Sequence, residues 1–161
     1  MKMKLKAVTA AAASPLLAAT LAAAQTHAID HLTQAQLRQM APALEARARA
    51  QGGSASVKLA TYPNHLTMVA LRVKSGGAEV HSHYADIFYV VRGHATLVTN
   101  GKVLDPENKG EGETIGAGLE GGSRQPLNPG DFVHIPAGVP HQLLLLKGGV
   151  FEYYVIKVKE N

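Results

Sequence analysis

The sequence contains no cysteine and no tryptophan, and aromatic residues make up only 5% of its 161 residues. Without cysteine, a disulfide framework, a thiolate metal site and cysteine catalysis are all excluded. The charge gives no indication of a nucleic-acid partner either. The formal charge of +4 includes Lys2, Lys4 and Lys6, and removing these three from the 16 basic residues leaves 13 against 12 acidic ones. We therefore expect no basic patch and no nucleic-acid binding.

Residues 1–24 have the features of a bacterial secretory signal peptide. Three lysines precede an alanine-rich apolar run from Ala7 to Leu21, and small residues follow it. We expect cleavage near Ala24, with a cut after Ala28 as the alternative, and a periplasmic or secreted destination. An uncut membrane anchor is the competing interpretation, but the run contains Pro15 and is shorter than the roughly 20 residues of a typical span. No stable membrane span is expected after cleavage.

One amphipathic helix is predicted over residues 33–50, within an arm of residues 25–55. Thr33, with Gln36 three residues later, has the pattern of a capping box. Apolar residues between Leu37 and Ala48 recur at helical spacing. The arm is expected to pack on the outside of the main domain or on a second subunit.

From residue 56 to residue 161 the pattern changes to short strands separated by glycine-containing turns. Residues 66–73 alternate two apolar faces, and Asn100-Gly101 is a hairpin signal. Residues 105–122 are rich in glycine and charge, and we predict a long loop at the rim of a pocket, with one short strand at Glu113–Ile115. These features indicate an antiparallel barrel or sandwich.

The stretch His81-Ser82-His83 carries the strongest chemical signal. On an extended strand two histidines one residue apart project from the same face, at a spacing that suits one metal ion. Asp86 and His141 would complete a site of nitrogen and oxygen ligands. A metallo-hydrolase His-x-His-x-Asp-His box fails, because the aspartate comes one position late and no histidine follows it. The sequence also has no Gly-x-Ser-x-Gly nucleophile elbow.

Two stretches resemble the motifs of the cupin superfamily. The first motif of that family is Gly, about five residues, His-x-His, three or four residues, Glu, six residues and Gly. Gly76, His81, His83, Asp86 and Gly93 stand in this order, with one residue fewer on each side of the His-x-His.

The second cupin motif is Gly-x5-Pro-x-Gly-x2-His-x3-Asn. Gly130, Pro136, Gly138 and His141 match it with the full spacing, and Leu145 replaces the final asparagine. The match is specific because two independent patterns agree in order and separation.

The resemblance implies an all-β fold, a double-stranded β-helix or cupin jelly-roll barrel over residues 56–161, with the N-terminal helix outside it. It also implies a metal held by His81, His83, Asp86 and His141, with iron or manganese favoured and zinc, nickel or copper as alternatives. The aspartate in place of glutamate, and the short gap before it, leave two options open. Either Asp86 ligates the metal or a water takes its position.

Two functions remain open, because a shared fold does not settle an activity. One is a metal-dependent oxygenase or isomerase that acts on a small oxygenated molecule. The other is a non-catalytic cupin that binds or sequesters a metal ion or a small ligand. No separate general base stands out, although Tyr84, Glu79 and Arg124 are candidates. A homodimer is expected from the resemblance and from residues 150–158, a strand with two apolar faces.

Overall fold

The computed structural model describes residues 29–160, so the predicted signal peptide lies outside the described residues. The described part contains one helix and thirteen strands. They are α1 (Gln34–Ala50), β1 (Ser54–Thr61), β2 (His65–Arg72), β3 (Ala78–His81), β4 (Tyr84–Arg92), β5 (Ala95–Thr99), β6 (Lys102–Leu104), β7 (Glu107–Gly110), β8 (Glu113–Gly116), β9 (Gly118–Glu120), β10 (Ser123–Leu127), β11 (Phe132–Ile135), β12 (His141–Leu144) and β13 (Phe151–Lys159). Within residues 29–160, no helix has the length and apolar character that crossing a membrane requires.

The strands form two main antiparallel sheets. A five-stranded sheet has the order β1-β2-β13-β4-β11, and a six-stranded sheet has the order β10-β5-β12-β3-β8-β7. Strands β6 and β9 pair as a separate ribbon. The prediction of an all-β jelly-roll architecture is confirmed, and its strand order explains why distant sequence motifs meet.

The main core lies between the two sheets. Phe88, Phe151 and Tyr153 from the five-stranded sheet pack against Leu97 and Leu143 from the six-stranded sheet. Phe151 is completely buried. Period-two alternation places these residues inside, because successive side chains on a strand point to opposite faces of its sheet.

Helix α1 packs on the other face of the five-stranded sheet. Its buried residues Leu37, Leu44 and Ala48 share a cluster with Val69 and Leu71 of β2. Strand β2 therefore buries apolar residues on both of its faces, as its alternation predicted. One face packs inside the barrel and the other packs against the helix. Since α1 covers part of this sheet, its amphipathic stripe accounts for its position in the fold.

The capping box predicted at the start of α1 is present. The Thr33 hydroxyl accepts a hydrogen bond from the backbone N–H of Gln36 at 3.2 Å, and the Gln36 side chain accepts one from the backbone N–H of Thr33 at 2.8 Å. The helix continues through Pro42 and ends at Ala50. Each of the two capping bonds satisfies a donor that the helical hydrogen-bond pattern leaves free.

One arginine ties the helix to the sheet beneath it. Arg92 donates from Nε to Oε2 of Glu152 at 2.8 Å and from Nη2 to Oε2 of Glu45 on α1 at 3.3 Å. The Glu152 side chain is fully buried, and its Oε1 has no hydrogen-bond partner within residues 29–160. Arg92 is therefore the charge partner that makes this burial tolerable.

Strand β13 lies in the middle of the five-stranded sheet, between β2 and β4. Tyr153 and Val155 face the core between the sheets, and Tyr154 packs with the helix cluster. The apolar surface from which we predicted a homodimer is thus covered within the chain. Dimerisation stays a prediction that rests on the resemblance alone.

The segment 105–122 differs from the predicted long loop. It contains β7, β8 and β9, and β8 joins the six-stranded sheet by pairing with β3. Only the short strand predicted at Glu113–Ile115 agrees with the structure. The glycine-rich composition does not predict strands here. The segment is nevertheless ordered, because the backbone of β8 pairs with the otherwise unpaired edge of β3.

Candidate metal centre

Three potential ligands come from neighbouring strands of the six-stranded sheet. Glu79 on β3 lies directly opposite His141 on β12 in the strand register, and His81 lies two residues further along β3 on the same face. One ligand atom from each residue lies within 4.8 Å of the other two. The two imidazole rings are 5.1 Å apart between centroids and tilted by 56°. This arrangement is compact enough to hold one ion.

Asp86 faces the same group from the opposite sheet. It lies on β4, and its Oδ2 is 3.4 Å from Nε2 of His81 and 3.8 Å from Nε2 of His141. The Asp86 side chain is 4% exposed, so it is enclosed between the sheets. The candidate site therefore contains two imidazoles and two carboxylates, Glu79 being the second.

The outer nitrogens of both imidazoles have partners that fix the rings. Nδ1 of His81 hydrogen-bonds the carboxylate of Glu113 on β8. Nδ1 of His141 lies 3.0 Å from the backbone carbonyl of Val139. Because a carbonyl oxygen only accepts, Nδ1 of His141 carries the proton and its Nε2 carries a lone pair. A carboxylate behind His81 favours the same tautomer and is the usual second partner of a metal-bound histidine.

The Nε2 atom of His81 supports a metal as the missing partner. It is buried and has no hydrogen-bond partner among the described residues. A buried nitrogen without a partner is costly, and native structures rarely leave one without a reason. Facing the Nε2 atom of His141 and two carboxylates, it fits a divalent cation, so the donor set present here suits a metal.

Two cations hold the carboxylates in their charged form. Nη2 of Arg72 donates to Oε1 of Glu79 at 2.5 Å, and Nζ of Lys157 donates to Oδ1 of Asp86 at 2.8 Å. Burial alone would raise the pKa of each carboxyl, but the neighbouring cations and histidines outweigh burial and lower both pKa values. Both groups are therefore ionised at neutral pH and available as ligands.

The pKa values of the two histidines shift in opposite directions, although burial acts to lower both. Burial works to lower the pKa of His81, but the adjacent Asp86 and Glu113 carboxylates outweigh it and raise that pKa. For His141, burial dominates and lowers the pKa. His141 is thus preset in the neutral, ligating form, whereas His81 must lose a proton when it binds a metal at mildly acidic pH.

His83 does not join the group. Strand β3 ends at His81, and residues 82–83 form the turn that carries the chain to β4 in the other sheet. His83 is exposed, and its ring lies over Gly112 at the tip of the β7–β8 hairpin. The prediction that His81 and His83 share one face of a strand is wrong, because the extended backbone stops between them.

Comparison with known proteins gives matches in structure. No family model matches the sequence, and no curated protein matches it. The cupin domain of Cnp3 from Schizosaccharomyces pombe matches with a TM-score of 0.50 at 9% identity, over 66% of this chain and 65% of that one. The fold is that of the cupin superfamily.

Two further structures are similar at a lower level. The DMSP lyase DddQ from Ruegeria pomeroyi has a TM-score of 0.49 and 17% identity over 66% of this chain and 47% of that chain. KdgF from a Halomonas species has a TM-score of 0.49 and 16% identity over 69% and 84%. The chain thus spans about half the length of the DMSP lyase. At these identities the similarity concerns the fold alone.

The geometry of the site gives a second way to place the first motif. When the motif is read from Glu79, the sequence is Glu79-x-His81, four residues, Asp86, six residues and Gly93, which matches the family spacing after the first ligand position, although Val73 then stands where the motif has its first glycine. Glutamate then stands in place of the first histidine, and aspartate stands in place of the glutamate. The gap between His83 and Asp86, which is too short for the motif, indicated this alternative reading. The pair His81 and His83 nevertheless favoured the first reading, because it has the His-x-His pattern of the family.

A cavity of about 380 Å³ opens beside these residues in the barrel. Glu79, Asp86 and His141 line it together with apolar side chains, among them Met68 and Phe88. Small-molecule sites typically have a volume of this order and combine apolar walls with a few convergent polar groups. The cavity gives a small ligand direct access to the candidate metal centre.

Proposed function

We propose that this cupin is an exported metal-dependent enzyme, an oxygenase or isomerase, that acts on a small oxygenated molecule. One observation carries the proposal: the buried Nε2 of His81 makes no hydrogen bond within residues 29–160, yet it faces Nε2 of His141 and the Asp86 carboxylate beside a cavity. Most buried polar side-chain atoms in native structures have a hydrogen-bond partner, so this nitrogen and its neighbours fit a bound cation.

Glu79, His81, Asp86 and His141 would hold the ion, and iron or manganese suits this set of imidazole and carboxylate ligands best, with zinc, nickel or copper as alternatives. When bound, the ion supplies Lewis-acid polarisation of a substrate oxygen or a lowered pKa of bound water. The rest of the site prepares these ligands, because Glu113 orients the His81 ring. Apolar side chains such as Met68 and Phe88 line the cavity beside these ligands.

A non-catalytic cupin that sequesters a metal or a small ligand is the second candidate. One observation favours this second function: each carboxylate of the site already pairs with a cation of the protein. Glu79 pairs with Arg72, and Asp86 pairs with Lys157. Each cation competes with a metal for the carboxylate charge. This competition suits reversible loading as well as catalysis.

Metal content measured on purified variants tests the site. His81→Ala and His141→Ala are expected to lose stoichiometric metal in elemental analysis. His83→Ala is the matched control, because the exposed His83 lies outside the group and should leave metal content unchanged. Full metal content in both buried-histidine variants would contradict the proposal.

Catalysis and sequestration are separated by turnover. Iron- or manganese-loaded protein is tested for dioxygen consumption with phenolic and oxo-acid substrates, and for isomerisation of the same compounds. Turnover that disappears in His141→Ala supports the enzyme. Stoichiometric binding without turnover supports the second candidate instead.

Export is tested by N-terminal sequencing of the protein recovered from the periplasmic fraction of an expressing bacterium. Cleavage after Ala24 predicts a mature chain that begins at Gln25. Recovery of an intact N-terminus in the membrane fraction would favour the anchor.

A further inference from the structure

Lys157 has donor capacity that its contacts leave unused. It lies on β13 directly opposite Asp86 on β4, lines the cavity, and donates from Nζ to Oδ1 of that aspartate at 2.8 Å. An ammonium group carries three N–H donors, and Asp86 takes one of them. The Lys157 side chain keeps 21% of its surface exposed and lines the cavity, so a ligand in the cavity can reach this side chain.

Arg72, the other cation deep in the cavity, is engaged differently. Its Nε donates to the Tyr153 hydroxyl at 3.2 Å, and its Nη2 donates to Glu79 at 2.5 Å. The guanidinium lies against Gly76, where an added β-carbon would collide with Nη1. Protein groups thus occupy three sides of Arg72, which positions Glu79. Of these two deep cations, Lys157 is the one with fewer protein contacts and is the more available to a ligand.

The charges that line the cavity favour an anionic ligand. Three cations, Arg47, Arg72 and Lys157, face two carboxylates, Glu79 and Asp86. The excess is one positive charge before any metal binds, and a divalent ion adds two more. A cleft with low-dielectric walls and an excess of one sign attracts ligands of the opposite sign.

The exposed part of the cavity lining also favours an anionic ligand. Arg47, near the end of α1, and the hydroxyl-bearing Ser54 and Ser56 of β1 line the cavity and are all exposed. Ser54 and Ser56 pair with Arg72 and Ala70, so they lie on the barrel-facing side of the edge strand. Exposed polar groups therefore line the solvent-facing part of the cavity.

The remaining walls are mainly apolar, with Met68, Phe88, Leu143 and Val155 around the charged groups, and the amides of Gln51 and Gln142 are the polar exceptions. We infer that Lys157 anchors the carboxylate of a small substrate whose remaining body is apolar. This inference deepens the proposed function, and it rests on that function for the metal beside the anchored group.

The test compares two probes of equal shape, 3-phenylpropanoate and the neutral 3-phenylpropanamide, by calorimetry on metal-free and manganese-loaded protein. Wild type is expected to bind the carboxylate at least about tenfold more tightly than the amide, as for a charge-assisted hydrogen bond. Lys157→Met should lose this preference and leave amide binding unchanged. Lys102→Met, at an exposed lysine outside the cavity, is the matched control and should keep the preference.

Lys157→Arg retains the charge and is expected to retain the carboxylate preference, with thermal unfolding as the check that each variant folds. Equal binding of the two probes by wild type, or an unchanged preference in Lys157→Met, would overturn the inference. So would loss of the preference in the arginine variant, because shape rather than charge would then decide. A wild type that binds no manganese but shows the Lys157-dependent preference would refute the metal proposal and support the anchor.

Discussion

Removing the Glu113 carboxylate tests how the orientation of His81 depends on strand β8. Glu113 lies opposite His81 in the β3–β8 register, and its carboxylate hydrogen-bonds Nδ1 of the imidazole. This contact keeps the proton on Nδ1 and directs the Nε2 lone pair toward His141 and Asp86. In Glu113→Ala the ring would lose both its orientation and its preferred tautomer.

The expected loss can be estimated from the exposure of this contact. Removing the second partner of a metal-bound histidine typically lowers metal affinity by about 10- to 100-fold. The Glu113 side chain is 36% exposed, so water can replace part of the interaction. We therefore expect the lower end of the range, about tenfold, which corresponds to about 1.4 kcal/mol.

Competition with a chromophoric chelator measures this affinity directly. Glu120→Ala is the control, because it removes an exposed negative charge from the nearby strand β9. Glu113→Gln should fall between wild type and Glu113→Ala, since an amide oxygen can still accept from Nδ1. The reasoning would be refuted if Glu113→Ala bound metal as tightly as Glu120→Ala.

Three further outcomes are expected. Phe151→Ala should lower the free energy of unfolding by about 3–5 kcal/mol in urea titrations, because Phe151 is fully buried, whereas Phe132→Ala, at 68% exposure, should change it by less than about 0.5 kcal/mol. Arg92→Ala should cost about 2 kcal/mol in the same assay by leaving the Glu152 carboxylate buried without its partner, and Glu152→Gln in that background should restore part of the loss. Metal affinity should fall as the pH decreases, because a proton on His81 competes with the metal. The fall should begin above pH 6.5, the ordinary imidazole pKa, because the pKa of His81 is raised, and it should reach about tenfold per pH unit below that raised pKa. A metal affinity that does not change between about pH 5 and 8 would contradict this prediction.

Local pattern was sufficient for much of the fold. The alternation along β2 correctly separated the two apolar faces, and Thr33 with Gln36 correctly located the start of α1. These features depend on residues within one or two turns or strand repeats of each other. His81, Asp86 and His141 were likewise recognisable from motif spacing, and the structure brings them together.

Other parts of the site depend on which strand lies beside which, and spacing does not encode this. Glu113 reaches His81 across 32 residues because β8 pairs with β3, and the glycine-rich composition around it predicted only a loop. Glu79 became a candidate ligand only when its register opposite His141 was known. His83 failed because a change of sheet interrupts the strand, which an alternating pattern over three residues cannot show.

The central position of β13 has a consequence for how this protein folds. The strand is the last described one in sequence, yet its residues pair with β2 residues 79 to 93 positions earlier and with β4 residues 60 to 75 positions earlier. Such non-local pairing raises the contact order, and proteins of high contact order fold slowly. Since Lys157 and Tyr153 both belong to β13, the cavity with its charges can form only after this strand has inserted. Nascent chains would therefore have no binding site until synthesis has passed residue 159.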